Sequence, residues 1–239
     1  ARLGRAIGFE ALGRWKCPTA GEVASDVFVR LAERYNMVND LTCVLLRKTL
    51  TTIADWPRDT RVSFNLSAFD LASPDAMAKI LATLERAPAA VERIDFEITE
   101  TAVFVDFEQA RRSIEALKAL GARISLDDFG CGYSSLAYVQ KLPLDRIKID
   151  RGFVADIETD KASRQIVKTI VDLCRNMEIP CVAEGVETQA QLDALAALDC
   201  HLVQGYFYAR PMAAQDVPAF MLRSIAPRSA VAAPALKVA

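Results

Sequence analysis

Residues 123–150, RISLDDFGCGYSSLAYVQKLPLDRIKID, contain the pattern that decides the fold. Two short β-rich runs, Arg123–Leu126 and Arg146–Ile149, carry charged residues at their C-terminal ends, and the segment between them is too long for a hairpin. Strands joined by connections of this length run parallel, with helical segments covering the sheet. This stretch therefore predicts a parallel α/β fold.

The same alternation of short strands and longer helical patterns covers most of the 239 residues. The other predicted strands are Ile7–Leu12, Arg61–Leu66, Ile94–Ile98, Pro180–Ala183 and Leu202–Val203. The predicted helices are Val23–Tyr35, Asp40–Ala54, one beginning at Ser73-Pro74, Glu108–Leu120, Ser163–Met177, Gln189–Leu198 and about Ala214–Ser224. One of these helices has a clear apolar stripe at helical spacing. Its members are Ile166, Ile170, Leu173, Cys174 and Met177.

Seven strands, most followed by a helix, favour a (β/α)₈ TIM-like barrel, for which about 250 residues is a typical length. An open doubly wound sheet is the alternative. We expect the barrel within residues 1–226 and a disordered tail over residues 227–239, which lack a periodic pattern. The short lead before the first strand suggests a missing strand or an upstream domain.

Composition excludes several function classes. A formal charge of −2 gives no global positive field for nucleic acid, and no apolar run approaches the roughly 20 residues of a membrane span. Six cysteines without a CxxC pair indicate a reduced, cytoplasmic protein. Because His201 is the only histidine, any catalysis must depend on carboxylates and lysine.

Polar side chains stand at the C-terminal ends of the predicted strands. They are Glu10, Asn65, Glu97, Asp127, Asp128, Lys148, Glu184 and Gln204. Taken singly, such a residue is more often a helix cap or turn former. In a barrel, however, all these strand ends converge on the face where active sites form, so the set predicts one site.

Five of these residues are carboxylates, and Lys148 and Arg14 are the nearby cations that the sequence offers. Such a concentration of negative charge is costly unless divalent cations neutralise it. Oxygen ligands without histidine or cysteine favour Mg²⁺ or Mn²⁺, and the number of carboxylates suggests two ions, a recurring arrangement in phosphodiester hydrolysis.

The same residues resemble the EAL domain family. The motifs occur in order from Phe9 to Met212: EALGRW (10–15), NLS (65–67), EITE (97–100), DDFGCGYSS (127–135), KIDR (148–151), AEGVET (183–188), QGY (204–206) and RP (210–211). The resemblance implies a phosphodiesterase that cleaves cyclic di-GMP to linear pGpG with Mg²⁺ or Mn²⁺. It also implies an irregular barrel with one antiparallel strand.

By resemblance, one metal is held by Glu10, Asn65, Glu97 and Asp127. The second is held by Asp127, Asp128 and Glu184, and a metal-activated water attacks the phosphodiester. Lys148 orients or deprotonates that water, or stabilises developing charge. We prefer charge stabilisation, because an unperturbed lysine is protonated at neutral pH and could act as a base only with a lowered pKa. Gln204 positions water or ligand.

The resemblance assigns Leu12 and Arg14 to substrate binding, although a surface salt bridge is an equal alternative for Arg14. Glu100 is expected to brace the loop Asp128–Ser135, and the loop and helix over residues 128–140 are expected to form a homodimer. Cys131 stands where the family usually has threonine. An upstream GGDEF or sensor domain is a common partner in bacterial signalling proteins of this family.

Three function classes compete on the sequence alone. The enzyme is favoured because every expected metal and lysine position is filled. The alternatives are a non-catalytic cyclic di-GMP receptor and a protein-interaction module in a larger signalling protein. An aldolase-like enzyme using Lys148 as a Schiff base would not need the converging carboxylates.

Overall fold

The computed structural model describes residues 6–131 and 136–224, so the tail expected over residues 227–239 lies outside them. The strands are β1 (Gly8–Ala11), β2 (Trp15–Cys17), β3 (Gly21–Val23), β4 (Arg61–Asn65), β5 (Ile94–Thr99), β6 (Arg123–Phe129), β7 (Arg146–Ile149), β8 (Cys181–Ala183) and β9 (Leu202–Val203). The helices are α1 (Ser25–Arg34), α2 (Val38–Ala54), α3 (Ala68–Ala72), α4 (Pro74–Leu84), α5 (Pro88–Val91), α6 (Glu100–Val105), α7 (Phe107–Ala119), α8 (Leu136–Val139), α9 (Arg151–Ala155), α10 (Lys161–Asn176), α11 (Gln189–Ala197) and α12 (Val217–Ser224). None of these helices is long and apolar enough to cross a membrane.

Seven strands form one sheet in the order β1-β4-β5-β6-β7-β8-β9, and each neighbouring pair is parallel. The two edges approach each other at the C-terminal end, where Gln204 Nε2 donates to Glu10 Oε2 at 2.7 Å. The sheet is therefore curled, which confirms the predicted TIM-barrel-like α/β class. Within the described ranges, the only antiparallel pairing lies outside this sheet, between β2 and β3.

The two faces of the sheet differ in chemistry because side chains alternate along each strand. The face covered by the helices is apolar and buried, and includes Val62, Phe64, Ile94, Phe96, Ile98, Ile124, Leu126, Ile147 and Ile149. The alternate positions point to the concave side and are largely polar: Ser63, Asn65, Asp95, Glu97, Ser125, Asp127, Arg146 and Lys148. The hydrophobic core thus lies between sheet and helices, while the barrel interior is available for charged chemistry.

Local signals in the sequence account for several helix ends. Ser73 caps α4 by accepting from the amide of Ala76 at 3.2 Å, with Pro74 in the first turn, as predicted. Gly121 follows α7 with a φ of +94°, in the left-handed region that glycine tolerates. Both features help to position the strand that follows each helix.

Two expectations about helices need correction. Ile166 is 39% exposed, and the buried residues of α10 are Val167, Ile170, Val171 and Cys174, so the helix is rotated from the predicted stripe. The first helix begins at Ser25, not Val23, because β3 takes part in the pairing with β2. Packing against the neighbouring elements decides both points, which single-helix periodicity cannot resolve.

Candidate active site

Lys148 lies at the centre of the mouth formed by the C-terminal ends of the strands. Its Nζ is 2.8 Å from Glu97 Oε1, 3.1 Å from Asp127 Oδ1 and 2.5 Å from Glu184 Oε1. The lysine is only 2% exposed, and its three partners come from β5, β6 and the end of β8. The fold therefore brings together four residues that lie up to 87 positions apart, from 97 to 184.

An irregularity in β6 presents two adjacent carboxylates to this mouth. The pairing of β6 with β7 shifts register between Leu126 and Phe129, and Asp128 has a φ of +53°. Bulges of this kind redirect side chains, and aspartate tolerates the left-handed region better than most residues. Carboxylate oxygens of Asp127, Asp128 and Glu184 consequently all lie within 4.8 Å of one another.

A second group of polar residues closes the other side of the mouth. Glu10 accepts from Asn65 Nδ2 at 2.9 Å through Oε1 and from Gln204 Nε2 at 2.7 Å through Oε2. Gln204 is itself fixed by backbone bonds, since its amide donates to Ala183 O at 2.8 Å and its carbonyl accepts from Val186 N at 3.0 Å. Glu10, Asn65 and Gln204 thus form a connected rim.

Gly205 makes this rim possible. A Cβ at this position would lie 2.1 Å from the carbonyl oxygen of Val186, so the chain after β9 can cross the chain after β8 only without a side chain there. This close crossing fixes the spacing of Glu184 and Gln204. The glycine therefore positions two site residues without contacting them through a side chain.

Burial and neighbouring charges shift the pKa values of Glu97, Glu184 and Lys148. Burial raises the pKa of Glu97 to about 8 and that of Glu184 to about 7, with the negative charge of Asp127 contributing in the same direction. Burial would lower the pKa of Lys148, but the carboxylates around it raise the pKa above its ordinary value overall. In this arrangement Lys148 is a cation, but its single positive charge cannot balance the three carboxyl groups that contact it.

The sequence interpretation missed Asp150. Burial raises the pKa of Asp128, and the charges of Asp127 and Asp150 raise it further. Asp150 also accepts from Gly152 N at 2.8 Å and so caps α9. It follows β7 just as the other site carboxylates follow their strands, so the strand-end rule could have included it.

The donor set fits hard divalent cations. The side chains at the mouth that could bind a metal are carboxylates and amides, so they offer oxygen ligands. Glu97 Oε2 is a buried carboxylate oxygen to which no described residue donates a hydrogen bond. Among the described residues, Lys148 is the only base in an ion pair with Glu97, Asp127 or Glu184. An acidic cluster with one cation and unpartnered oxygens is suited to Mg²⁺ or Mn²⁺.

Leu12 and Arg14 lie beside this mouth. Both line a cavity of about 480 Å³ that Glu10 and Asn65 also line. The guanidinium of Arg14 donates through Nη1 to Gly13 O at 2.9 Å. The structure thus brings the two predicted substrate-binding residues next to Glu10 and Asn65, on the opposite side from the trio around Asp128.

Glu100 is separate from the mouth. It begins α6, is buried, and neither of its carboxylate oxygens has a hydrogen-bond partner within 6–131 and 136–224. Its charge contributes to the raised pKa of Cys131, which burial brings to about 11. The loop that Glu100 was expected to brace includes residues 132–135, which lie outside the described ranges.

The fold and the site together define a TIM-barrel-like protein with an acidic, lysine-containing site at the C-terminal mouth. The chain belongs to the EAL domain family, whose model matches residues 1–211. It is 41% identical over 211 residues to an uncharacterized signaling protein of Caulobacter vibrioides, covering 87% of this chain and 26% of that protein. It is 37% identical over 207 residues to the cyclic di-GMP phosphodiesterase NbdA of Pseudomonas aeruginosa, covering 85% and 26%.

Solved structures agree with this assignment. The MucR phosphodiesterase in complex with c-di-GMP superposes with a TM-score of 0.83 at 35% identity, covering 91% of this chain and 90% of that one. A manganese/cy-diGMP complex of Klebsiella pneumoniae BlrP1 gives a TM-score of 0.69 at 29% identity, covering 80% and 49%. The chain spans about a quarter to a third of the length of the curated relatives that it matches.

Proposed function

We propose that this chain is a divalent-metal-dependent phosphodiesterase that hydrolyses cyclic di-GMP to linear pGpG. The observation that carries the proposal is the meeting of Glu97, Asp127 and Glu184 around Lys148 within 3.1 Å. Three carboxylates around a single buried cation are over-supplied with negative charge for a structural ion pair. Family membership and relatives described as cyclic di-GMP phosphodiesterases support the same substrate.

The chain would hold two Mg²⁺ or Mn²⁺ ions. One set of ligands is Glu10, Asn65, Glu97 and Asp127, and the other is Asp127, Asp128 and Glu184. Asp127 belongs to both sets because it lies close to Asp128 and Glu184 and also shares Lys148 with Glu97. When bound, the ions would supply charge neutralisation for the substrate and acidify a water molecule for attack on phosphorus.

Lys148 would stabilise the negative charge that develops on the phosphoryl oxygens as the ester bond breaks. Its raised pKa keeps it protonated, which suits an electrostatic role and is opposed to a role as general base. A buried ammonium held by carboxylates from separate strands is preorganised, so it needs no reorientation during the reaction. Gln204, tied to Glu10 at 2.7 Å, would orient water or substrate at the rim.

The substrate would lie across the mouth, beside Leu12 and Arg14. Arg14 can reach a phosphate with the forked donors of its guanidinium, and Leu12 offers an apolar contact to the base or sugar. The two phosphates of cyclic di-GMP would then be divided, one at the acidic mouth and the other near Arg14. This division explains how a chain of formal charge −2 accepts an anionic ligand.

The domain, residues 1–226 in our proposal, would act within a longer cytoplasmic signalling protein. One relative, MucR of Pseudomonas aeruginosa, is described as a bifunctional diguanylate cyclase/cyclic di-GMP phosphodiesterase, and this chain is 36% identical to it over 218 residues. An upstream GGDEF or sensor domain would fit that organisation. Two copies would dimerise through the loop and helix over residues 128–140.

The test is incubation of the purified chain with cyclic di-GMP and Mg²⁺, with and without a chelator, followed by chromatography of the nucleotides. We expect pGpG to accumulate only when the metal is available. Binding of cyclic di-GMP without any pGpG at saturating Mg²⁺ and Mn²⁺ would contradict the enzyme and assign a receptor instead.

A further inference from the structure

Three cysteines meet at the end of the barrel opposite the acidic mouth. Cys181 is the first residue of β8, and its sulfur lies 3.7 Å from the sulfur of Cys200, just before β9. Cys174 of α10 lines the same cavity as Cys181. The three residues are separated by up to 26 positions, from 174 to 200, and their proximity is not evident from the sequence.

Two similar chain reversals create this cluster. After α10, Glu178 adopts a φ of +58° and returns the chain to β8, and after α11, Asp199 adopts a φ of +62° and returns it to β9. The amide of Cys200 donates to Leu195 O at 3.0 Å, which fixes it against the end of α11. Since β8 and β9 pair in parallel, with Val182 opposite Leu202, the residues just before the pairing are held side by side.

The members of the cluster differ in access. Cys181 is half-buried and lines a cavity of about 200 Å³, together with Cys174, Arg175 and His201. Cys200 is 1% exposed and does not line that cavity. A small reagent that enters the cavity therefore meets Cys181 first, with Cys200 directly behind it.

The surroundings favour a thiolate at Cys181. Hydrogen bonds from the thiols of Cys174 and Cys200 lower its pKa, and the charges of Arg175 and His201 act in the same direction. The pKa values of Cys174 and Cys200 are raised, chiefly through their interaction with the same sulfur. A thiolate is the nucleophilic form of cysteine, so Cys181 is suited to attack and Cys200 to follow.

A soft-metal site is the competing explanation for three thiols near an imidazole. Within the described ranges, the only trio of His, Cys, Asp or Glu ligand atoms lying within 4.8 Å of one another is Asp127, Asp128 and Glu184. The three sulfurs therefore do not surround a common point, as tetrahedral coordination needs. The sulfurs of Cys181 and Cys200, 3.7 Å apart, are instead placed for exchange between two neighbouring sulfurs.

We propose that Cys181 and Cys200 form a reversible disulfide by exchange with a low-molecular-weight disulfide such as oxidised glutathione. The Cys181 thiolate attacks one sulfur of the reagent, forming a mixed disulfide and releasing one glutathione thiolate. The sulfur of Cys200 then attacks the Cys181 sulfur and releases the second glutathione. The protein dithiol is oxidised by two electrons, the reagent is reduced to two thiols, and the two thiol protons leave with them.

The bond would join β8 to β9 below the active site. Cys181 is three residues before Glu184 and Cys200 is four residues before Gln204, and the two strands share only two paired positions. A covalent link there would fasten the shortest strand pair of the sheet. The inference concerns bond formation only, so it stands independently of whether the domain hydrolyses cyclic di-GMP.

The test is peptide mapping of the reduced chain after incubation with oxidised glutathione and alkylation of the remaining thiols. We expect a linked peptide pair containing Cys181 and Cys200, and a loss of alkylation at these two residues. Cys200→Ala should stop at a glutathione adduct on Cys181, and Cys43→Ser, a buried cysteine between other elements, should behave like the parent chain.

Several results would overturn the proposal. One is full alkylation of Cys181 in the parent chain after treatment, which does not depend on any variant folding. Another is a linked pair of Cys174 and Cys181 in place of the expected one. A third is stoichiometric Cd²⁺ binding that is lost in Cys181→Ser, in a chain that yields no linked peptide, since that would assign a soft-metal site.

Discussion

Two buried carboxylates on β5, Asp95 and Glu97, lie in the same barrel interior but in opposite electrostatic surroundings. Both are 1% exposed and both point to the concave face. Asp95 lies two residues before Glu97, farther from the mouth, in what we call the lower layer; Glu97 and Lys148 belong to the upper layer. Asp95 accepts from Arg61 Nε and from Arg146 Nη1, each at 2.8 Å. Glu97, in the upper layer, shares Lys148 with two other carboxylates and keeps one oxygen without a donor among the described residues.

The difference distinguishes a structural from a functional cluster of charge. Below, two cations surround one anion, and Arg61 also donates to the backbone carbonyl of Glu92 at 2.7 Å. Above, three carboxyl groups surround one ammonium. Each oxygen of Asp95 accepts from an arginine, whereas Glu97 Oε2 has no donor among the described residues, so the upper layer is the one that needs further positive charge.

The largest effect is expected for Lys148→Ala in the upper layer. Removing a preorganised charge at the reacting phosphate should lower turnover by about a thousand-fold while cyclic di-GMP still binds. Turnover is measured as pGpG formed at saturating Mg²⁺, with binding followed by calorimetry. Lys168→Ala, which removes an exposed lysine paired only with its own helix, is the matched control. Substantial cleavage by Lys148→Ala would remove lysine from the mechanism.

Asp95→Asn should have the largest effect on folding. Neutralising the buried carboxylate leaves the half-buried Arg61 and Arg146 without their anion, which should cost about 3 kcal/mol of unfolding free energy. Urea denaturation measures this change. The surface pair of Asp40 with Lys79 provides the control, because Asp40→Asn should cost less than about 1 kcal/mol. Equal costs for the two variants would remove the distinction between the layers.

Asp127→Asn should weaken metal binding by more than about 100-fold, whereas changing a residue that only supports a metal ligand typically lowers metal affinity by roughly 10–100-fold. The reason is that Asp127 belongs to both proposed ligand sets. Activity measured over a Mg²⁺ titration should shift to higher concentration, while Asp193→Asn, an exposed change on α11, should leave the curve in place. Unchanged activity at limiting Mg²⁺ would contradict the bridging position.

The smallest effect is expected for Glu97→Gln when the chain is kept metal-free. Burial raises the pKa of Glu97 to about 8, so without metal this carboxyl group is largely protonated at neutral pH. Replacing it by an amide should therefore change the unfolding free energy by less than about 1 kcal/mol, because the remaining carboxyl groups still surround Lys148. Comparison with Asp95→Asn by the same urea denaturation is the sharpest contrast on β5. A cost for Glu97→Gln as large as that for Asp95→Asn would make the upper layer a structural one.

Much of this arrangement could be predicted from the sequence. The polar residue that ends each apolar run identifies the mouth, because parallel strands in a barrel present their C-terminal ends on one face. The alternation in IDFEIT and RIKID also predicts the two layers, because residues two apart on a strand point to the same face. Asp95 therefore shares a face with Glu97, and Arg146 shares one with Lys148. The strand and helix types follow from the same periodicities.

Other features depend on contacts that no local pattern encodes. The bulge that turns Asp127 and Asp128 toward Glu184 arises from a register shift against β7. The exposure of Ile166 is set by how α10 packs on the sheet, and the meeting of Cys181 with Cys200 is set by two helix ends. Each of these requires the relative placement of elements that are distant in the chain.

Metal binding to the chelator-treated chain tests the central claim most directly. Equilibrium dialysis against Mn²⁺ should show saturable binding that approaches two ions per chain, and urea denaturation should show an unfolding free energy that rises by about 2.7 kcal/mol for each site at a hundred times its dissociation constant. If the mouth binds no Mn²⁺ or Mg²⁺ at millimolar concentrations and the unfolding free energy does not change, the carboxylates are tolerated for another reason and the account is wrong.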